Sequence, residues 1–80
     1  MFTLTTTINY DYDEDEDILY ISVGKPAPAI TEEKEEGILI RRSIKNNKII
    51  GITILDYKDR IEKNEKINIP KKFNLDKVNI

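Results

Sequence analysis

Apolar residues come in short runs that alternate with polar positions, a period of two that belongs to strands rather than helices. The most informative run covers residues 48–56. There Ile50, Ile52 and Ile54 share one face, while Ile49 and Leu55 share the other with Thr53. A strand apolar on both sides needs cover on both sides. No segment reads as a long amphipathic helix able to supply it, so a second copy of the chain is the simplest candidate.

The same pattern predicts the other elements. Residues 3–10 place Leu4, Thr6, Ile8 and Tyr10 on one face of a half-buried first strand, which the acidic residues 11–17 interrupt. Residues 18–23 form a strong strand, again apolar on both sides, with Tyr20 in the core. Pro26 and Pro28 break pairing because proline lacks the amide donor a sheet interior needs. Residues 29–32 read as a short edge strand. After the Glu36-Gly37 turn, residues 38–44 place Ile38, Ile40, Arg42 and Ile44 on one face. Asn46-Asn47 tolerates positive φ and closes a hairpin onto residues 49–55.

Beyond Asp56 the pattern weakens. Residues 57–66 fit a helical turn, a loop or a continued strand, and residues 67–70 fit a short strand ended by Pro70. Phe73, Leu75, Val78 and Ile80 are scattered apolar groups placed to dock on the sheet or on a neighbouring subunit. The predicted fold is mainly β: one small antiparallel sheet of four to six strands, mostly a meander. The alternative is α+β, with a short C-terminal helix from about residue 70 packed on the sheet. One domain spans residues 1–80, with residues 57–80 as a C-terminal extension.

Composition agrees with this reading. Hydrophobic residues make up 39% of the 80, and fifteen of them are isoleucine, which suits a pleated, half-buried surface. A domain this small has a marginal core, and without cysteine it has no disulfide to reinforce it. No run approaches the length of a membrane span and no signal peptide is evident, so the expectation is a cytoplasmic protein.

Charge is uneven. Residues 1–40 carry ten acids against Lys25 and Lys34, a net of −8, while residues 41–80 carry a net of +6. The simplest expectation is that the two sets meet after folding, with the basic hairpin of Arg41, Arg42, Lys45 and Lys48 pairing with the acidic run. The sharper alternative is a dipolar surface that orients partners.

Candidate chemistry is sparse. With no histidine and no cysteine, neither a Ser–His–acid triad nor a thiolate nucleophile is possible, and imidazole and thiolate metal sites are excluded. The carboxylates of Asp11, Asp13, Asp15 and Asp17 suggest calcium, but the pattern fails: the sixth position is Glu16 rather than glycine, and the twelfth is Ser22 rather than glutamate. Asp-type turns account for them better. Gly24, Gly37 and Gly51 are too far apart in sequence to form one phosphate-binding loop. Arg41 and Arg42 point to opposite faces, which weakens a one-sided grip on phosphate. No catalytic, metal or cofactor-binding residue is assigned.

Two segments resemble the small prokaryotic family catalogued as domain of unknown function 2283, together covering about residues 10–57. One runs from Tyr12 through Asp17-Ile18-Leu19-Tyr20-Ile21. It is similar to the family's Tyr-Asp turn followed by Asp and Leu-Tyr-Ile. The other is Glu36-Gly37-Ile38-Leu39-Ile40, then Ile50-Gly51-Ile52-Thr53-Ile54-Leu55, similar to the family's Gly-apolar strand and closing Val-Gly-Ile-Glu-Ile-Leu. Arg41-Arg42, Asn46-Asn47 and Thr53 depart from the family pattern. The resemblance implies a compact sheet-rich domain without catalytic residues, and it hints at partnership of the toxin–antitoxin kind.

The expectation is therefore a non-catalytic protein-interaction module, with an antitoxin-like partner role as its finer form. It is a homo-oligomer with a dimer favoured, and has room for a heterologous protein partner. A small nucleic-acid-binding protein using the basic half is one alternative, though the chain lacks the overall positive excess such proteins show. A weak carboxylate cation binder is another.

Overall fold

The computed structural model describes residues 7–73 and 75. Five strands, β1 (Ile8–Asp13), β2 (Ile18–Val23), β3 (Ala29–Glu35), β4 (Ile38–Ser43) and β5 (Ile49–Leu55), precede one short helix, α1 (Tyr57–Glu62). All neighbouring strands are antiparallel, in the order β1-β2-β5-β4-β3. β1–β2 and β3–β4–β5 are hairpin-connected, as a meander requires. The link from β2 to β3 instead crosses to the opposite edge, which makes β2 to β5 a Greek key.

One face of the sheet is the core. Its rows follow from the register: Tyr12, Leu19, Ile54 and Ile38 lie in line, as do Tyr10, Ile21, Ile52 and Ile40. Leu19, Ile21, Ile38, Ile40, Ile52 and Ile54 are buried together with Tyr57 and Phe73, and Ile67, Ile69 and Leu75 pack against them. The chain beyond β5 thus covers this face itself. The cover is one short helix followed by irregular chain, so the fold is mainly β as expected, one five-stranded antiparallel sheet with a single short helix.

Several expectations are corrected. The first strand runs through the start of the acidic stretch rather than ending at it, because Tyr10 and Tyr12 pair with Ile21 and Leu19 while Asp11 faces solvent. Residues 3–6 lie outside the described residues. β3 extends to Glu35, three residues further than expected, with a bulge between Glu33 and Glu35. Residues 67–70 are not a strand, yet Ile67 and Ile69 still pack on the core. The helix lies at residues 57–62 and not beyond residue 70, where residues 71–73 are turn and bend. Val78 and Ile80 lie outside the described residues.

A register shift between Arg41 and Arg42 sets Gly51 opposite Arg41 and Ile49 opposite Arg42. The bulge exchanges the expected faces of two neighbours, so Ile49, not Ile50, packs against the core. Tyr20 is corrected as well: its flanking residues Leu19 and Ile21 are buried, whereas Tyr20 points to the other face and is 42% exposed. The Asn46-Asn47 turn forms as expected. Asn47 takes φ 60°, its amide donates to the Ser43 carbonyl at 2.8 Å, and the Lys48 amide donates to the Asn46 side chain at 3.1 Å.

Candidate interaction surface

The antiparallel register decides where the charges go. The β1–β2 turn, the β3–β4 turn and the β5–α1 junction lie at one end of the sheet, bringing Glu14, Asp15, Glu16, Glu36 and Asp56 together. The crossover and the β4–β5 turn lie at the other end, with Lys25, Lys45 and Lys48. The acidic run and the basic hairpin therefore do not meet. Arg42 instead pairs with Glu32 on the neighbouring edge strand, Nε to Oε1 at 3.1 Å. The strand ends thus differ in charge, but the two sets still meet in part, because α1 brings Lys58 and Arg60 to the acidic end, where Lys58 lies beside Asp17.

Within the acidic run, Asp17 has a separate task. It adopts φ 55°, a conformation aspartate tolerates better than most residues. Its carboxylate accepts hydrogen bonds from the Tyr12 hydroxyl at 2.7 Å and from the Lys58 and Asp59 amides at 2.8 and 3.3 Å, while its carbonyl accepts from the Tyr57 amide at 3.1 Å. The first turn of α1 is thus capped from forty residues away. Asp56, at the usual capping position, takes φ 54° and makes no side-chain cap. Tyr12 completes the clamp by meeting Tyr57 edge-on, ring centroids 6.0 Å apart.

Titration reflects this geometry. Partial burial acts to raise the Asp17 carboxyl, but the Lys58 amide, the Tyr12 hydroxyl and the Asp59 amide outweigh it and hold the group below its ordinary value. The hydrogen bond to Asp17, helped by desolvation and nearby carboxylates, pushes Tyr12 up to about 12. Of the other acids in the run, Asp13 accepts from the Glu16 amide at 3.2 Å, an Asp-type turn as expected. No group of three or more carboxylates among the described residues is placed to hold a metal ion, so the cation-binding reading gains no geometric support.

A second clamp closes the acidic end. Arg60 Nε donates to the Leu55 carbonyl at 2.8 Å, and Nη2 donates to the Glu36 carbonyl at 2.6 Å. Gly37 lets this happen. Its φ of +82° disfavours any side chain, and a Cβ there would collide with the Arg60 guanidinium. Gly37→Ala is expected to lower stability by about 1–2 kcal/mol from the backbone term alone, and more if Arg60 is displaced. Urea unfolding of the variant checks this, and an unchanged midpoint would contradict it. Nothing in the charge pattern sets Arg60 apart, because its shortest contacts are to backbone carbonyls and its one ion pair, to Glu65, is long at 3.8 Å.

Among the described residues, no other strand or helix packs on the face opposite the core. Its middle row is Asp11, Tyr20, Thr53, Leu39 and Glu33, and its neighbouring row is Asp13, Ile18 and Leu55. Ile18, Leu39, Thr53 and Leu55 are half-buried beside Tyr20, so an apolar stripe runs between acids on the two edge strands. Toward the basic end the next row is Asn9, Ser22, Gly51, Arg41 and Thr31. The Arg41 stem lies across Gly51, where an added Cβ would stand 3.2 Å from Arg41 Cδ. This is the close approach that a glycine in a central strand signals. No helix among the described residues is long and apolar enough to cross a membrane.

No curated protein and no solved structure matches the chain. The model of a family described as protein of unknown function, DUF2283, matches residues 9–58, which take in all five strands except Ile8, with Asp17, Gly37 and Gly51, but stop short of Arg60 and Phe73. The chain, five antiparallel strands clamped through Asp17 to one short helix, belongs to the DUF2283 family.

Proposed function

We propose that this protein is a non-catalytic interaction module of the cytoplasm. It uses the open sheet face to bind protein, first of all a second copy of itself. One observation carries the reading: the stripe of Ile18, Tyr20, Leu39, Thr53 and Leu55 is apolar, contiguous in register and left partly exposed, while the other face has its own cover. Exposed apolar patches of this kind mark interaction sites more often than inert surface. The edges favour face-to-face pairing over strand addition. Asp11 and Asp13 on β1, and Glu32, Glu33 and Glu35 on β3, set like charges along both edges. The lack of histidine and cysteine supports a role without catalysis.

An antitoxin-like role is the finer form of this reading, in which a heterologous protein displaces the second copy from the same face. A nuclease-treated pull-down from the native host, using wild type and Tyr20→Glu side by side, tests it. One foreign protein recovered near one-to-one by wild type and lost by the variant is the expected result. Equal recovery by both would place the partner elsewhere, and recovery of nothing but nucleic acid would favour the basic end.

A further inference from the structure

We infer that the basic end of the open face holds an oxyanion site, a small hollow that takes a phosphate group. The hollow, about 200 Å³, lies where the β2–β3 crossover leaves the sheet and is lined by Arg41, Lys25, Ser22, Asn9 and Gly24 among others. Its lining brings two cations and two neutral side chains able to donate hydrogen bonds, and no carboxylate. Arg41 and Arg42 point to opposite faces and do not grip an anion together. In the structure the second cation is Lys25, carried over by the crossover, while Arg42 is occupied by Glu32.

None of the four polar side chains is engaged within the described residues. Arg41 is half-buried yet makes no ion pair or hydrogen bond there, and Lys25, Ser22 and Asn9 make no side-chain bond there. A half-buried guanidinium normally finds an anion, because desolvating a charge without a partner is unfavourable. Gly51 fixes its position by letting the Arg41 stem lie flat against the strand. Two positive charges with two neutral donors match a doubly charged tetrahedral anion better than a single carboxylate, which one arginine satisfies. Lys25, Lys45 and Lys48 at the same end add to the attraction of an approaching anion.

The test is a titration of the full chain with inorganic phosphate at constant ionic strength, read by backbone amide shifts, with chloride as control. Saturable shifts centred on Ser22, Gly24 and Lys25 are expected. Affinity should weaken by about tenfold in Arg41→Gln and less in Lys25→Ala. The lysine variant lies in an exposed connection and leaves the core untouched. A parallel titration with adenosine monophosphate separates the sources: equal affinity assigns the site to the phosphate group itself, and tighter binding assigns it to a phosphomonoester on an organic body. Shifts no larger than those from chloride, or affinity unchanged in both variants, would overturn the proposal. So would binding seen with an oligonucleotide but not with phosphate.

Discussion

Phe73→Ala is expected to destabilise the fold by about 3–5 kcal/mol, the range for removing a large aromatic side chain from a packed core. Phe73 is 3% exposed and belongs to the buried cluster that includes Leu19, Ile21, Ile52 and Ile54. A domain of this size has on the order of 4–12 kcal/mol in total. The variant should therefore show a much lower midpoint in urea, and partial unfolding at 37 °C. Phe73 lies beyond residue 58, where the family match ends. A chain ending there should lose cooperative unfolding, since Ile67, Ile69, Phe73 and Leu75 all leave the core face together. Retained cooperativity would show that the five strands suffice alone.

Asp17→Ala is expected to cost about 2–3 kcal/mol. Loss of a helix cap accounts for about 1–2 kcal/mol, and alanine held at positive φ adds about 1 kcal/mol. Asp17→Asn should retain much of the cap, because asparagine both caps helices and tolerates this conformation. The pH dependence has a definite sign. The folded carboxyl of Asp17 titrates below its unfolded value of 3.8, so its contribution is present above that pH and is lost as pH falls through the lower, folded value. Tyr12 is the reverse case. Its folded pKa is raised from 10.0 to about 12, so its contribution is complete below pH 10 and lost as pH rises toward 12. In Asp17→Asn the acid-side slope should flatten and the Tyr12 phenol should titrate back toward 10.0. Ultraviolet titration against Tyr12→Phe isolates that phenol. A Tyr12 titration unmoved by the substitution would contradict the clamp.

How legible each part was depended on whether it is local. The β4–β5 hairpin could be read from Asn46-Asn47 and the alternating isoleucines, because turn chemistry and side-chain period act over a few residues. The faces of Ile49 and Ile50 could not, since the bulge arises from how β5 aligns with Arg41 and Arg42 on its neighbour. Tyr20 shows the same limit in another form. A strand apolar on both sides does not say which side is the core, and Leu19 and Ile21 take it because the residues beyond β5 fold over them. Asp17 looked like one of several equivalent acids; only its position opposite the first turn of α1 distinguishes it. The hollow at Arg41 was hidden for the same reason, because Lys25 reaches it through the crossover from β2 to β3. Gly24 and Gly51 are distant in sequence, yet one lines that hollow and the other lies beneath Arg41.

Sedimentation velocity of wild type and Tyr20→Glu tests the central claim, that the open sheet face is an interaction surface. Tyr20 is exposed enough for glutamate to leave the fold intact, which circular dichroism verifies. Wild type should sediment as a concentration-dependent dimer and the variant as a folded monomer, since each interface would then bury two unpaired carboxylates. A wild type that stays monomeric at every concentration, or a Tyr20→Glu dimer as tight as wild type, would contradict it.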